Sequence, residues 1–423
     1  MATITQPVPL PRKPRKETSV NRLAYSYILP AALIMAVITF FPLIYQLWMS
    51  FTDFSNLNLR TTNLLGQILG SFIPALKSKF NSPSLVNVRN YTSVLLNSLA
   101  KILSGFDFWR ILLFNLTWTF GQVVCHVAIG VAIAMLLNAK GLWLKKVYRV
   151  LFIIPWAMPS LVASMVWKNM FDDQSGSVNM LLKALGISDG LRWLQQIDAP
   201  LPGIPPFVRL PEGSNPWFAL FIFIVLLIAP LFFRQFRRRW WLILPWALIL
   251  QGLFALPVWG DNAVTASLGE LYPLSFYAVF VANVWLGWPF MMTVATGALQ
   301  GIPRDLYEAA AIDGASGWQA FWRITAPLLR PAMVPAIMIG IMMTFNQFNV
   351  IYFITGGGPL HQTEILVTQA YRFVNETSIN IGGSGNVRPY SVAAAFSYIV
   401  FIILGTITLI TNRISRATEA YSD

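Results

Sequence analysis

Eight predominantly apolar stretches of this chain contain no Asp, Glu, Lys or Arg: residues 27–48, 111–137, 150–167, 217–233, 240–259, 274–299, 334–354 and 392–410. A helix needs about 20 residues to cross the roughly 30 Å hydrocarbon core of a bilayer. The apolar residues run continuously and do not alternate with polar ones, unlike the strands of an outer-membrane barrel. The pattern therefore predicts an all-α integral membrane protein with about eight transmembrane helices.

The distribution of charge supports this fold class and orients the chain. Only 11% of the 423 residues are charged, against roughly 25% in soluble domains, which excludes a soluble protein. Nearly all of the net charge of +13 falls in segments that the spans place on one side, and the positive-inside tendency assigns that side to the cytoplasm. We therefore expect both termini in the cytoplasm. The basic residues flank spans without an aromatic-interleaved patch, so no nucleic-acid partner is expected.

The long inner loop at 301–333 carries the most informative motif. It contains Glu308-Ala309-Ala310, then Gly314, and after nine further residues Ile324 and Pro327. The Glu-Ala run is strongly helix-forming, and Gly314 stands where a helix can end in a left-handed conformation. Ser316 can cap a following helix. The loop is therefore predicted to form a short helix, a turn and a second helix.

This spacing resembles the EAA motif of binding-protein-dependent ABC importer permeases, which reads Glu-Ala-Ala, three residues, Gly, nine residues and Ile-x-Leu-Pro. The chain departs from it only at Ala326, where the family usually has Leu. The resemblance implies an ABC type I importer (MetI-like) permease core whose loop docks on a separate ATPase subunit. The coupling residues that it implies are Glu308, Ala309, Ala310, Asp313, Gly314, Ile324 and Pro327.

Segments 146–160, 283–292 and 345–359 resemble spans of the MalF branch, the permeases of maltose/maltodextrin importers. This implies a multi-pass protein of a bacterial or archaeal cytoplasmic (inner) membrane that imports a neutral oligosaccharide. The partners implied are membrane lipid, a second permease (MalG-like), two copies of an ABC ATPase (MalK-like) and an extracytoplasmic sugar-binding protein. Another neutral saccharide remains an alternative substrate.

No catalytic or metal-binding set is recognisable in the chain. A Walker A loop needs Gly-Lys followed by Ser or Thr, and Gly-Lys does not occur. Two His and one Cys do not form a credible zinc site. We therefore expect a transport subunit that is not an enzyme, has no metal site and binds no cofactor, with ATP and Mg²⁺ held by the partner ATPase.

The spans hold amides and hydroxyls but no charged residue, which argues against a secondary sugar carrier and against a charged substrate. Spacing alone favours a helix-packing role for these polar residues. The MalF resemblance instead implies a sugar site midway through the membrane, with Gly287 leaving room for a sugar ring. The residues at the matching positions are Asn283, Leu286, Gly287, Phe290, Gly340, Met343, Thr344 and Gln347.

These expectations divide the chain into six segments. A cytoplasmic tail (1–26) precedes the first span with a short outer segment (27–110), core spans with an outer loop (111–216), an inserted hairpin (217–259), core spans with the coupling loop (260–411) and a second tail (412–423). The hairpin is predicted to cross the membrane twice, which keeps Glu308 on the cytoplasmic side. The alternative, in which both of its helices lie flat on the membrane surface, preserves the same orientation.

Overall fold

The structure is a computed structural model that describes residues 18–60, 63–96, 106–139, 141–186, 191–195, 221–222, 224–226, 273–376, 379–380 and 386–419. Within these ranges the chain is mostly helical, with one antiparallel pair of two-residue strands, β1 (Ile379–Asn380) and β2 (Asn386–Val387). Ile379 pairs with Val387, and Asn380 pairs with Asn386.

The helices fall into three groups along the described chain. The first is α1 (Thr18–Ser50), α2 (Leu64–Phe72), α3 (Pro74–Lys77) and α4 (Arg89–Leu95). The second is α5 (Phe108–Asn138), α6 (Lys145–Ala157), α7 (Ser160–Met170) and α8 (Ser177–Ala184). The third is α9 (Leu274–Gln300), α10 (Asp305–Ile312), α11 (Gly317–Ala320), α12 (Ala326–Phe345), α13 (Phe348–Thr355), α14 (Leu366–Asn375) and α15 (Tyr390–Glu419).

Five helical runs among the described residues are long and apolar enough to cross a membrane: Tyr27–Ser50, Phe108–Asn138, Leu274–Gln300, Gly317–Thr355 and Tyr390–Arg413. The bent pair α6 and α7 makes a sixth if it counts as one span. The inserted hairpin predicted at 217–259 lies outside the described residues, apart from 221–222 and 224–226. The structure therefore accounts for six of the eight predicted spans, and the count of eight is not confirmed.

The span predicted at 150–167 is not a single straight helix. α6 ends at Ala157, α7 begins at Ser160, and the two helices meet at an angle of 91°. Pro159 lacks an N–H group and disfavours a helical conformation at the residue before it. Met158 is accordingly extended, with φ −74° and ψ 135°. The bend places Trp156, Met158 and Ser160 at one corner of the fold.

The predicted span at 334–354 is also interrupted, at Asn346 and Gln347 between α12 and α13. Thr344 and Gln347, three residues apart, therefore do not lie on one face of a single helix. The carbonyls at the end of α12 accept hydrogen bonds from α5: Trp118 Nε1 donates to Thr344 O at 3.2 Å and Asn115 Nδ2 to Phe345 O at 3.3 Å. Irregular backbone at membrane depth is tolerated where protein groups satisfy it in this way.

The core of the fold is the pair α5 and α9, which pack along their length. At Gly130 a Cβ would come within 2.7 Å of both Met291 Cβ and Met292 N, so glycine lets the two helices approach closely. Trp118 and Ala134 on α5 are fully buried in the clusters that join these helices to their neighbours. α12 packs against both helices, which positions the middle of α12 beside α5 and α9.

The loop between α9 and α12 has the predicted helix–turn–helix shape. α10 is followed by Gly314 at φ +76°, which an L side chain rarely adopts. Ser316 caps α11, and its Oγ accepts from Gln319 N while Gln319 Oε1 accepts from Ser316 N. A π-helical turn (Phe321–Thr325) then leads directly into α12. The turn at Gly314 and the cap at Ser316 are both confirmed.

Candidate functional site

A cavity of about 290 Å³ lies where α5, α9 and α12 meet the corner between α6 and α7. All eight residues that the sequence proposed for the sugar site line it: Asn283, Leu286, Gly287, Phe290, Gly340, Met343, Thr344 and Gln347. The cavity lies between the two ends of the Gly317–Thr355 run, away from the loop and from the far end of α13. The structure brings these residues together, and their binding of a sugar stays a prediction.

The cavity also holds residues that the sequence did not assign to it: His126, Trp156, Met158, Ser160 and Met291. Three of them, Trp156, Met158 and Ser160, reach the cavity because α6 and α7 bend at Pro159. The signal that could have found them is Pro159 itself, because a proline in the middle of an apolar stretch marks a helix break. His126 makes a hydrogen-bonded contact between α5 and α9: its Nε2 lies 3.1 Å from Asn283 O.

Two amide side chains contact each other at the break between α12 and α13. Gln347 Nε2 donates to Asn283 Oδ1 at 3.2 Å, and Asn283 is buried while Gln347 lies in the break itself. Among the described residues no hydrogen bond engages Asn283 Nδ2 or Gln347 Oε1. An amide pair held in this way offers one donor and one acceptor to a ligand hydroxyl.

Gly287 makes room for His126. A Cβ at position 287 would overlap the His126 imidazole, which fills that volume from α5. Gly287 also lines the cavity, and its leaving room for a sugar ring stays a prediction. Because a carbonyl only accepts, the contact with Asn283 O places the proton of a neutral imidazole on Nε2 and leaves Nδ1 as an acceptor.

Gly340 has a similar packing role on α12. A Cβ there would come within 2.6 Å of Met291 Cε, so the methionine methyl group occupies the space beside the glycine. The aromatic wall lies at the helix corner, where the rings of Trp156 and Phe290 are 6.0 Å apart at an angle of 33°. Trp156 is 51% exposed, so part of its ring is available for contact with a ligand.

Among the residues that the structure describes, no Asp, Glu, Lys or Arg lines this cavity. A charged ligand at this depth would need a partner of opposite sign, because burying an unpaired charge is costly. Polar contacts come instead from amides, hydroxyls and an imidazole. The arrangement therefore fits an uncharged, hydroxyl-bearing ligand better than an acidic or basic one.

The proposed coupling residues lie apart from the cavity, in the loop between α9 and α12. The side chains of Glu308, Ala309 and Asp313 are exposed on or next to α10, and Ile312 is 87% exposed. Tyr307 Oη lies 2.9 Å from Thr325 Oγ1, which connects α10 to the π-helical turn before α12. Ile324 and Pro327 lie in that turn and in the first residues of α12.

Most of the chain is similar to known transport proteins. Residues 127–416 match the sequence family described as binding-protein-dependent transport system inner membrane component. The chain is 26% identical over 416 residues to the maltodextrin transport system permease protein MalC of Streptococcus pneumoniae, covering 96% of this chain and 73% of that protein. It is 26% identical over 318 residues to the maltose/maltodextrin permease MalF of Klebsiella aerogenes, covering 73% of this chain and 46% of that protein.

Two solved structures share the fold. One is a bacterial ABC transporter involved in the import of the acidic polysaccharide alginate, with a TM-score of 0.56 at 16% identity, covering 95% of this chain and 98% of that chain. The other is a bacterial alginate ABC transporter in complex with an alginate pentasaccharide-bound periplasmic protein, with a TM-score of 0.53 at 16% identity. The likeness extends over almost the whole chain, and it confirms the predicted fold class.

Proposed function

Because this chain belongs to the family of binding-protein-dependent transport system inner membrane components, we propose that it is the sugar-translocating permease of an ATP-driven importer for maltose or maltodextrins. Its relatives are permease subunits of ABC transporters. The chain is a transport subunit and a multi-pass inner-membrane protein. The proposal adds the substrate, the position of the substrate site and the route of coupling.

One observation carries the proposal: all eight predicted sugar-site residues line a single cavity without charged side chains. The run Gly317–Thr355 contributes Gly340, Met343, Thr344 and Gln347 to the cavity, from its second half. Ligand sites of transporters lie near the membrane midplane, at interruptions of helices. The break at Asn346 and Gln347 is such an interruption.

The uncharged lining of the cavity distinguishes between a neutral sugar and an acidic polysaccharide as the substrate. The two sequence relatives are named for maltose and maltodextrin, whereas the two structural neighbours concern alginate, an acidic polysaccharide. A polyanion would require basic groups along the cavity, and its lining holds none. Maltodextrins are neutral and rich in hydroxyl groups, which the Asn283–Gln347 amide pair can both donate to and accept from.

The proposed mechanism is alternating access. An extracytoplasmic sugar-binding protein delivers the oligosaccharide, and two MalK-like ATPase subunits close on ATP. One of them docks on the exposed residues around Glu308 and Gly314, and a MalG-like second permease supplies the loop for the other. ATP and Mg²⁺ belong to the ATPase subunits, and this chain hydrolyses nothing.

The described contacts supply a physical route from the loop to the cavity. A displacement of α10 pulls on Thr325 through the hydroxyl of Tyr307. The π-helical turn runs without interruption into α12, which carries Gly340 and Thr344 into the cavity. A rigid shift of α12 by an ATPase subunit therefore changes the shape of the site directly.

The test is uptake of labelled maltodextrin into proteoliposomes containing the complete complex. Uptake should require both ATP and the binding protein, and Gly314→Pro should abolish it, because proline cannot adopt φ +76°. Gly317→Ala is the matched control, since a Cβ there meets no atom within 4 Å. Uptake without ATP would instead indicate a secondary carrier, and ATP-dependent uptake of a different neutral sugar alone would reject maltodextrin.

A further inference from the structure

A second, larger pocket lies at the far end of α7 and α13. It has a volume of about 560 Å³, and its walls include Asn169, Asp173, Arg192, Tyr352 and Glu376. None of the predicted sugar-site residues lines it. It therefore needs an explanation separate from that of the cavity between α5, α9 and α12.

The two sites lie in line along the same pair of helices. α7 and α13 pack together, and at their first turns Asn349 Nδ2 donates to Ser160 Oγ at 2.7 Å, beside the inner cavity. The last turns of both helices contribute Lys168 and Thr355 to the outer pocket. α13 has eight residues, so it rises about 12 Å from the cavity to the outer pocket.

A row of aromatic rings joins the two sites. Phe348 follows Gln347 directly, and its ring stacks on that of Tyr352 with centroids 4.8 Å apart. Tyr352 lines the outer pocket and also packs against Tyr371 at 5.0 Å. Aromatic faces are apolar platforms on which the C–H face of a sugar ring can lie. The wall between the sites is thus suited to a chain of sugar rings.

The segment that carries Arg192 is held by a buried amide. Asn179 Nδ2 donates to Leu191 O at 2.9 Å, and its Oδ1 accepts from Leu191 N at 3.1 Å and from Trp193 Nε1 at 2.9 Å. The Trp193 ring packs on Phe171 at 5.2 Å. These hydrogen bonds fix the residues on both sides of Arg192, so this part of the pocket is preformed in the absence of a ligand.

The adjacent turn at the end of α7 is fixed in the same manner by Asp172. Its Oδ1 accepts from Ser175 N at 2.8 Å and from Ser175 Oγ at 2.9 Å. These hydrogen bonds hold the pKa of the Asp172 carboxyl below its usual range. The carboxylate therefore stays ionised and keeps the turn closed at neutral pH.

The lining combines charged groups of both signs. Arg192 and Lys168 are basic, whereas Asp172, Asp173 and Glu376 are acidic. Neither sign dominates, whereas a site for a polyanion would be lined mainly by basic groups. Planar guanidinium, amide and carboxylate groups can each make two hydrogen bonds to neighbouring hydroxyls, which suits a neutral saccharide.

A long oligosaccharide needs more volume than the inner cavity provides. The inner cavity of about 290 Å³ lies at the lower limit of the roughly 300–1,000 Å³ typical of small-ligand pockets. It accommodates one end of an oligosaccharide and not its whole length. We propose that the outer pocket is a second saccharide subsite, which holds the further sugar units of an oligosaccharide whose end occupies the inner cavity; this inference rests on the proposed function.

The experiment compares substrates of different length. Proteoliposomes with the complete complex, ATP and the binding protein import labelled maltose or labelled maltohexaose, and the ratio of the two rates is measured. Arg192→Ala and, separately, Asn169→Ala should lower the maltohexaose-to-maltose ratio about tenfold, the effect of losing one hydrogen bond to a charged or amide group. Arg388→Ala, another exposed arginine that does not line the pocket, is the control and should keep the ratio of the unaltered complex.

The possible outcomes separate the two proposals. If the unaltered complex imports both sugars and neither variant changes the ratio, the subsite is overturned while the proposed function stands. An equal fall for both sugars also overturns it, because it assigns the pocket to contact with the binding protein. Import of neither sugar by the unaltered complex overturns the proposed function and the subsite together. Two independent variants are used so that failure of one to assemble leaves the test intact.

Discussion

The imidazole of His126 on α5 occupies the volume that a side chain at Gly287 on α9 would fill. The same ring donates from Nε2 to the carbonyl oxygen of Asn283, 3.1 Å away. One residue pair therefore sets both the separation of the two central helices and the orientation of a residue that lines the cavity. The closeness of α5 and α9 is a condition for the shape of the site.

Gly287→Ala should impair transport through packing alone. The added methyl group displaces the His126 ring and separates the helices, at a cost typically of about 1–3 kcal/mol. Both the unfolding temperature of the purified complex and the rate of maltodextrin uptake should fall. Gly297→Ala, on the same helix, meets no atom within 4 Å and should leave both unchanged or raise stability slightly. Equal behaviour of the two variants would contradict the packing role.

Substitution of His126 should distinguish its hydrogen bond from its volume. Gln can place its side-chain N–H near Asn283 O, so His126→Gln should retain part of the uptake. His126→Leu fills the space but cannot donate, and its uptake should fall roughly two- to tenfold below that of the Gln variant. The measurement is initial uptake at saturating binding protein. Identical rates for Gln and Leu would show that only volume matters.

The cavity itself was predictable from the sequence more completely than the backbone around it. Resemblance to a family supplied the eight positions that line the cavity. Periodicity could not show that α6 and α7 form a corner or that α12 stops at Phe345. A continuous apolar stretch predicts one span. Pro159 is a local mark of the break between α6 and α7, whereas the break after α12 depends on hydrogen bonds from α5.

The end of α12 at Phe345 shows why the sequence alone could not predict the break. The Phe345 carbonyl is satisfied by Asn115 Nδ2 on α5, and Asn115 Oδ1 accepts from Leu366 N at 2.9 Å at the start of α14. These partners are 230 and 251 residues away along the chain. No local signal in the sequence connects them. Likewise, only the packed structure reveals that Gly287 makes room for His126.

Asn115→Leu should therefore destabilise the helix break. The substitution leaves a buried carbonyl and a buried N–H group without their partner, which costs about 1–3 kcal/mol for each group. We expect a lower unfolding temperature of the purified complex and lower uptake. Thr117→Val is the control two residues away, because the Thr117 hydroxyl bonds only to carbonyls of its own helix. If Thr117→Val lowered the unfolding temperature as much as Asn115→Leu, the effect would not be specific to the hydrogen bonds of Asn115.

Tyr307→Phe should weaken coupling without preventing assembly. It removes the 2.9 Å contact between the Tyr307 and Thr325 hydroxyls, which connects α10 to the turn before α12. The sugar imported per ATP hydrolysed should fall roughly two- to tenfold, as expected for one hydrogen bond. Tyr148→Phe is the control, since no described hydrogen bond involves the Tyr148 hydroxyl and its ring stacks on Phe152. An unchanged ratio of sugar to ATP in Tyr307→Phe would place the coupling route elsewhere.

The most direct test of the central claim, that the cavity between α5, α9 and α12 is the sugar site, is uptake by Gln347→Ala compared with Asn346→Ala. Gln347 lines the cavity and contacts Asn283, whereas the neighbouring Asn346 is exposed and its side chain donates to Met342 O in the last turn of α12. In proteoliposomes with ATP and the binding protein, Gln347→Ala should lower maltodextrin uptake at least about tenfold, and Asn346→Ala should leave it near normal. Normal uptake by an assembled Gln347→Ala complex would contradict the account.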